Sequence, residues 1–379
     1  MYSTLSKKLT LQFSKKEKKD GGIFFTPPSF IQHNLSLLPL TELTRVLEPS
    51  CGSGEYLTAL NSFPHLQVTG IEINEKMCFP GILNKDFLEF STDEKFDLII
   101  GNPPYFVMKK SDVAKKYHKF FDGRPNIFIL FIIKSLELLE IDGYLSFVLP
   151  ANFLNSLCYE KTRKHLAQYK ILHIVECKEK YLETQQDTIL IIVQKTLSST
   201  SFNIKGYTIF TTEENRIKIA RLYENSTTLK DMGFRVRVGT VVWNQCKEIL
   251  TDDSSKTRLI YSSDIVSNVV VLKKYKDEKK KNYIKKEGTS DPTLVINRGY
   301  GKGEYVFNYC LVTEENYLVE NHLISIEYTE EISREELMIL YNKIMSSFDD
   351  ERTREFIGIY FGNNAINTVE LNNILPIYL

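Results

Sequence analysis

Asn102-Pro103-Pro104-Tyr105 joins a neutral carboxamide, two prolines and an aromatic ring in one tetrapeptide. The prolines fix φ and carry no backbone N–H, so the loop is stiff and its carbonyls are free to accept hydrogen bonds. Asn102 adds a neutral side-chain oxygen beside them, and Tyr105 adds a flat face. Acceptors next to a stacking surface suit a planar group that bears an NH2. The same four residues also make a rigid turn after the apolar run Leu98-Ile99-Ile100-Gly101, and alone they do not separate the two readings.

Upstream, three carboxylates each close a short apolar run: Glu48 after Val46-Leu47, Glu72 after Gly70-Ile71, and Asp86 after Ile82-Leu83. In open α/β sheets ligands bind beyond the carboxyl ends of the strands, and an acid ending the second strand is the usual clamp for a ribose diol. Glu48 opens the run Glu48-Pro49-Ser50-Cys51-Gly52-Ser53-Gly54, whose glycines let backbone approach a ligand closely. Its spacing fits neither the P-loop nor the dinucleotide fingerprint, which disfavours a phosphate cradle. A carboxylate there suits a cationic or hydroxyl-bearing ligand instead.

The elements that must position these residues alternate strand and helix. Pro27 and Pro28 open a helix that runs through Phe30, Ile31 and the leucines up to Leu38. A strand, a small-residue loop and a helix follow across 45–57, and further strands end at Glu72, near Asp86 and at Gly101. Phe106 to Gly123 shows no periodic core face and reads as a loop near the substrate, in which Lys109, Lys110, Lys115 and Lys116 are either solvated or candidate phosphate contacts. An apolar helix spans Pro125 to about Glu140, followed by a strand at Tyr144–Pro150, a helix near 157–169, and strands at 171–176 and 188–193. Beyond residue 200 this alternation gives way to short strands and one helical stretch, Arg334–Ser346. The expected division is a catalytic domain over 1–200 and a second domain over 201–379.

Length, 379 residues, suits two domains with separate cores. Lysine plus arginine equals aspartate plus glutamate at 48 each, so net charge selects no partner, but lysines crowd residues 7–19 and 273–286. Six cysteines without a C-x-x-C pair argue against zinc or a disulfide framework and for a reducing compartment. No metal site is expected. The start lacks a signal pattern and no apolar run reaches membrane-spanning length, so a cytoplasmic, monomeric protein is expected. Trp243 reads as core, Asn297–Gly303 as a surface turn, and the lysine run 273–281 as a solvated loop able to meet phosphates.

The order Phe25-Thr26-Pro27-Pro28, Leu47-Glu48-Pro49-Ser50-Cys51-Gly52-Ser53-Gly54, Gly70-Ile71-Glu72, Asp86-Phe87 and Asn102-Pro103-Pro104-Tyr105 resembles the S-adenosylmethionine-dependent adenine-N6 DNA methyltransferases in their gamma arrangement, over about residues 21–195. The resemblance implies an α/β fold, a Rossmann-like seven-stranded methyltransferase domain followed by a mixed α+β DNA-recognition domain. It implies catalysis by Asn102, Pro103, Pro104 and Tyr105. For the cofactor it implies Thr26, Glu48, Pro49, Ser50, Cys51, Gly52, Glu72, Ile73, Asp86 and Phe87, with Asn102 and Pro103. Tyr181 takes the place of a second stacking aromatic, and Lys109, Lys110, Arg298 and Lys302 become DNA contacts. Double-stranded DNA and a cognate restriction endonuclease are the implied partners. The stretch from Phe356 to Ile377 is similar to specificity modules of restriction–modification enzymes. Protein-glutamine and ribosomal RNA methyltransferases share the tetrapeptide; Thr26-Pro27-Pro28 and the long C-terminal region favour DNA.

Overall fold

A computed structural model of the chain describes residues 2–177, 187–198, 202–299, 305–360 and 366–379. The chain divides into two compact units, Met1–Thr212 and Glu213–Leu379.

In the first unit, helices α1 (Thr4–Gln12), α2 (Lys15–Gly21) and α3 (Pro28–Ser36) precede strand β1 (Arg45–Glu48) and helix α4 (Glu55–Leu60). Strands β2 (Gln67–Glu72), β3 (Ile82–Asn84) and β4 (Phe96–Gly101) follow, then helix α5 (Ile127–Leu138), β5 (Leu139–Pro150), α6 (Glu160–Leu166), β6 (Tyr169–Cys177) and β7 (Thr188–Leu197). These strands form one seven-stranded sheet in the order β3-β2-β1-β4-β5-β7-β6. β1 to β5 run parallel, and β7 is antiparallel to both its neighbours.

The central strands read as unbroken apolar runs because helices cover both sheet faces. Alternation along each strand sends Leu47, Ile99, Phe147 and Ile191 into the core beneath α5. Val46, Ile100, Val148 and Ile192 go into the core shared with α3 and α4. All of α5 except Glu137 is buried.

Three local expectations change. α5 ends at Leu138 because Leu139 is already extended (φ −72°, ψ 143°), β5 starts there, and the left-handed Asp142 (φ 63°) turns the chain within that strand. The segment after the tetrapeptide is not a bare loop: Val113, Tyr117 and Phe121 sit in the α5 core four residues apart. Polar neighbours had masked that spacing. The lysine-rich N-terminus forms α1 and α2, capped by Ser3 and by a Ser14–Glu17 capping box.

In the second unit a four-stranded antiparallel sheet places Phe234–Val238, Leu323–Tyr328, Thr293–Asn297 and Tyr309–Val312 in that order. Among the described residues four helices accompany it, where one was expected: α7 (Glu213–Leu222), α8 (Arg334–Asp349), α9 (Glu351–Tyr360) and α10 (Thr368–Asn373). Among the described residues, no helix is long and apolar enough to cross a membrane.

Candidate active site

Glu48, Glu72 and Asn102 lie at or just beyond the carboxyl ends of β1, β2 and β4, three adjacent strands in which β1 pairs with β2 on one side and β4 on the other. Backbone bonds draw their loops together. The Cys51 N–H donates to Ile71 O (2.9 Å), and the Ser50 hydroxyl donates to Asn102 O (3.3 Å). Gly54 is left-handed (φ 75°), and a Cβ there would lie 2.4 Å from the Phe79 ring, so this turn requires glycine.

Glu72 is buried, and its two oxygens accept the N–H groups of Gly52 and Asn74, each at 2.8 Å. Burial raises its pKa against the lowering effect of those donors. Glu48 is also buried, and among the described residues its Oε2 has no hydrogen-bond partner. Burial, reinforced by the Glu72 charge, holds its carboxyl well above the usual range. A buried acceptor without a donor costs free energy unless a ligand supplies one. Glu48 therefore fits a cationic group. Ile73, beside Glu72, leaves an apolar side chain 67% exposed.

Asp86 uses Oδ1 to accept the Leu88 N–H (2.8 Å), closing the turn after β3. The Phe87 side chain is buried against Phe131 at 4.9 Å between centroids, so it faces the core and leaves only its backbone for a ligand. Among the described residues no cluster of three histidines, cysteines or acids could hold a metal.

The Asn102 amide has a defined orientation. Its Nδ2 donates to Phe24 O (3.2 Å) and to Thr26 Oγ1 (3.0 Å), which turns Oδ1 the other way. Thr26 is itself buried. The structure thus joins Thr26 to Asn102, a contact the sequence pattern did not indicate. The Tyr105 hydroxyl reaches both Asn102 Oδ1 and Val148 O (2.8 Å), and its single proton serves one of them at a time. The half-buried ring meets Phe128 edge-on, with centroids 6.1 Å apart. Among the described residues no donor bonds the Pro103 carbonyl. The fully buried Arg163 guanidinium donates to the carbonyls of Phe153, Asn155, Ser156 and Thr208, which pins the chain after β5.

The remaining sites divide. Lys109 and Lys110 are exposed near the tetrapeptide. The Arg298 guanidinium leans on Asn321 O (3.4 Å). Tyr181 and Lys302 lie outside the described residues. The lysine run 273–281 is only partly solvated. Lys280 packs its ammonium over the rings of Tyr261 (4.0 Å) and Tyr275 (4.1 Å), and Lys281 pairs with Asp252. Trp243 is half-buried and packs against the core of Val241, Leu259, Tyr261 and Ile284, with Lys247 5.5 Å from its ring centroid.

Residues 52–182 match the Eco57I restriction-modification methylase family. Over 377 residues, 94% of each chain, the sequence is 29% identical to the type II methyltransferase M.CvrRI of Paramecium bursaria Chlorella virus XZ-6E. It is 26% identical to the modification methylase CviBIII of Paramecium bursaria Chlorella virus NC1A over 98% of each chain. Over 161 residues, 40% of this chain and 32% of the other, it is 32% identical to the type II methyltransferase M.HincII of Haemophilus influenzae. The fold is similar to that in the cryo-EM structure of a DrdV–DNA complex, with TM-score 0.56 and 12% identity, covering 95% of this chain and 57% of that one.

Proposed function

We propose that this chain is a site-specific DNA methyltransferase that moves a methyl group from S-adenosylmethionine to N6 of an adenine flipped out of duplex DNA. DNA methylation of the restriction–modification type rests on the near-full-length similarity to M.CvrRI and CviBIII and on the family match over 52–182. The choice of adenine N6 rests on one observation: an Asn102 amide turned by Thr26 and Phe24 so that Oδ1 accepts, next to an unbonded Pro103 carbonyl.

The cofactor, when bound, supplies an electrophilic methyl on a sulfonium. Glu72 and Ile73 would hold its ribose and adenine, with Asp86 and the Phe87 backbone beside the base. Glu48, Pro49, Ser50, Cys51 and Gly52 would lie along its cationic methionine end. The unpartnered Glu48 Oε2 supports that fit.

An aromatic amino nitrogen is a poor nucleophile because its lone pair is delocalised into the ring. Asn102 Oδ1 and the Pro103 carbonyl each accept one N6 hydrogen, which favours a pyramidal nitrogen with a directed lone pair. This is positioning and electrostatic stabilisation: the sulfonium–methyl bond breaks as the N6–methyl bond forms, and the methylated nitrogen, now acidic, releases one proton past these acceptors to solvent, so no general base is needed before transfer. The base must leave the duplex to reach these acceptors. Its amino group then displaces the Tyr105 hydroxyl from Oδ1, and the freed ring stacks on the base, with Tyr181 as a second stacking face. Lys109, Lys110, Arg298 and Lys302 would contact DNA, the unit Glu213–Leu379 would read the target sequence, and a cognate endonuclease would share that sequence.

The test is tritiated cofactor incubated separately with duplex DNA, RNA and cell protein, followed by nucleoside and amino-acid analysis. Label in N6-methyladenine is the expected result. Label in cytosine, RNA or glutamine refutes the adenine assignment.

A further inference from the structure

We propose that the helix pair α1–α2 is a DNA-backbone clamp that grips phosphates beside the flipped base through Lys7, Lys8, Lys15 and Lys16. The proposal rests on duplex DNA being the substrate.

Three observations converge. The first is charge. Residues 1–22 hold six lysines against two acids, Glu17 and Asp20, in a chain whose net charge is zero. Glu17 is engaged by the Ser14 capping box. Lys7, Lys8, Lys15 and Lys16 are exposed, and none has an acidic partner among the described residues. Across the helix pair the exposed charge is therefore in net excess positive, with Glu17 and Asp20 as its acids.

The second is anchoring. The opposite face of the pair is packed against the first unit. Leu9 and Phe13 are buried with Phe25 and Met77. The Ser6 hydroxyl bonds Ser53 Oγ (2.7 Å) and Glu55, and the Ser3 N–H donates to Glu55 Oε1 (3.0 Å). The lysines therefore stand on a fixed platform rather than a frayed terminus.

The third is place. α2 ends at Gly22, which is left-handed (φ 63°). A Cβ there would lie 2.7 Å from the Tyr105 N and 2.9 Å from Pro104 Cβ, so the helix pair terminates in van der Waals contact with the catalytic loop. An unneutralised basic surface fixed against a loop that must receive an extruded base fits a polyanion running past that loop. Phosphate contacts of this kind set position and affinity rather than sequence choice.

The experiment compares the wild-type chain with a variant carrying Lys7→Gln, Lys8→Gln, Lys15→Gln and Lys16→Gln, which removes charge while keeping helix propensity. Duplex binding is followed by fluorescence anisotropy across a potassium chloride series, with S-adenosylhomocysteine present. Each lost phosphate contact lowers the slope of log K against log salt by about 0.9, so the variant's slope should be shallower by roughly 2 to 3.6. The Lys→Arg variant at the same four positions keeps the charge and should keep the wild-type slope. An unchanged slope in the glutamine variant, in a wild-type chain that methylates DNA, overturns the clamp alone. A shallower slope in the arginine variant traces the effect to damaged packing and also overturns it. A wild-type chain that methylates no DNA overturns the functional reading and the clamp together.

Discussion

Thr26→Val separates two roles that the site offers for one buried hydroxyl. Thr26 Oγ1 accepts from Asn102 Nδ2 at 3.0 Å, while the other amide proton goes to Phe24 O at 3.2 Å. Valine keeps the shape and deletes the acceptor, so one N–H of a part-buried amide loses its partner. Leaving such a group unsatisfied costs about 1–3 kcal/mol. The amide retains the Phe24 bond and can tilt towards solvent, so we place the effect on transition-state binding at about 1–2 kcal/mol, a kcat lowered about 5- to 30-fold. Asn102→Ala removes the acceptor itself and should cost about 100- to 1,000-fold. The assay is single-turnover methyl transfer to a duplex substrate, paired with calorimetric cofactor binding. If Thr26 orients Asn102, kcat falls and the cofactor Kd stays within twofold. A kcat within twofold of wild type, or a loss confined to cofactor Kd, refutes this role and returns Thr26 to the cofactor contacts that the sequence resemblance implies.

Glu72→Ala removes the acceptor for two backbone N–H groups as well as the proposed ribose clamp, so calorimetry should show cofactor affinity at least tenfold weaker, and unchanged affinity would count against the clamp. Glu48 is held protonated in the folded chain above the pH at which the unfolded chain releases that proton, so without cofactor it lowers stability as pH rises from the ordinary carboxylate range towards neutrality. Glu48→Gln lacks this titration, and its Tm relative to wild type should improve from pH 5 to pH 8; a pH-independent difference argues against a buried acid. Tyr105→Phe deletes the hydroxyl that competes for Asn102 Oδ1 and keeps the ring, so turnover should persist. Tyr105→Ala forfeits stacking worth about 1–3 kcal/mol, or roughly 5- to 150-fold in kcat/KM for DNA, and equal activity of the two variants would remove stacking from the mechanism.

The amino-acid sequence by itself determined the catalytic-domain framework and the candidate site within it. Strands buried on both faces favour apolar residues, so β4 and the second half of β5 stand out as runs and β1 and β2 as shorter ones, and the polar residue after the runs of β1, β2 and β4 marks the ligand edge of the sheet. Glu48, Glu72 and Asn102 are legible for that reason. Tertiary structure alone decided how those groups are used. The Asn102 amide is oriented by a hydroxyl 76 residues earlier in the chain, a pairing no local period encodes. Val113, Tyr117 and Phe121 bury one stripe of a polar segment that is short and irregular in helix type, so its spacing carries little signal. The N-terminal lysines look like a solvated tail until Leu9 and Phe13 find Phe25 and Met77. In each case the deciding contact joins residues remote in sequence, and its free energy exists only once the sheet has brought them together.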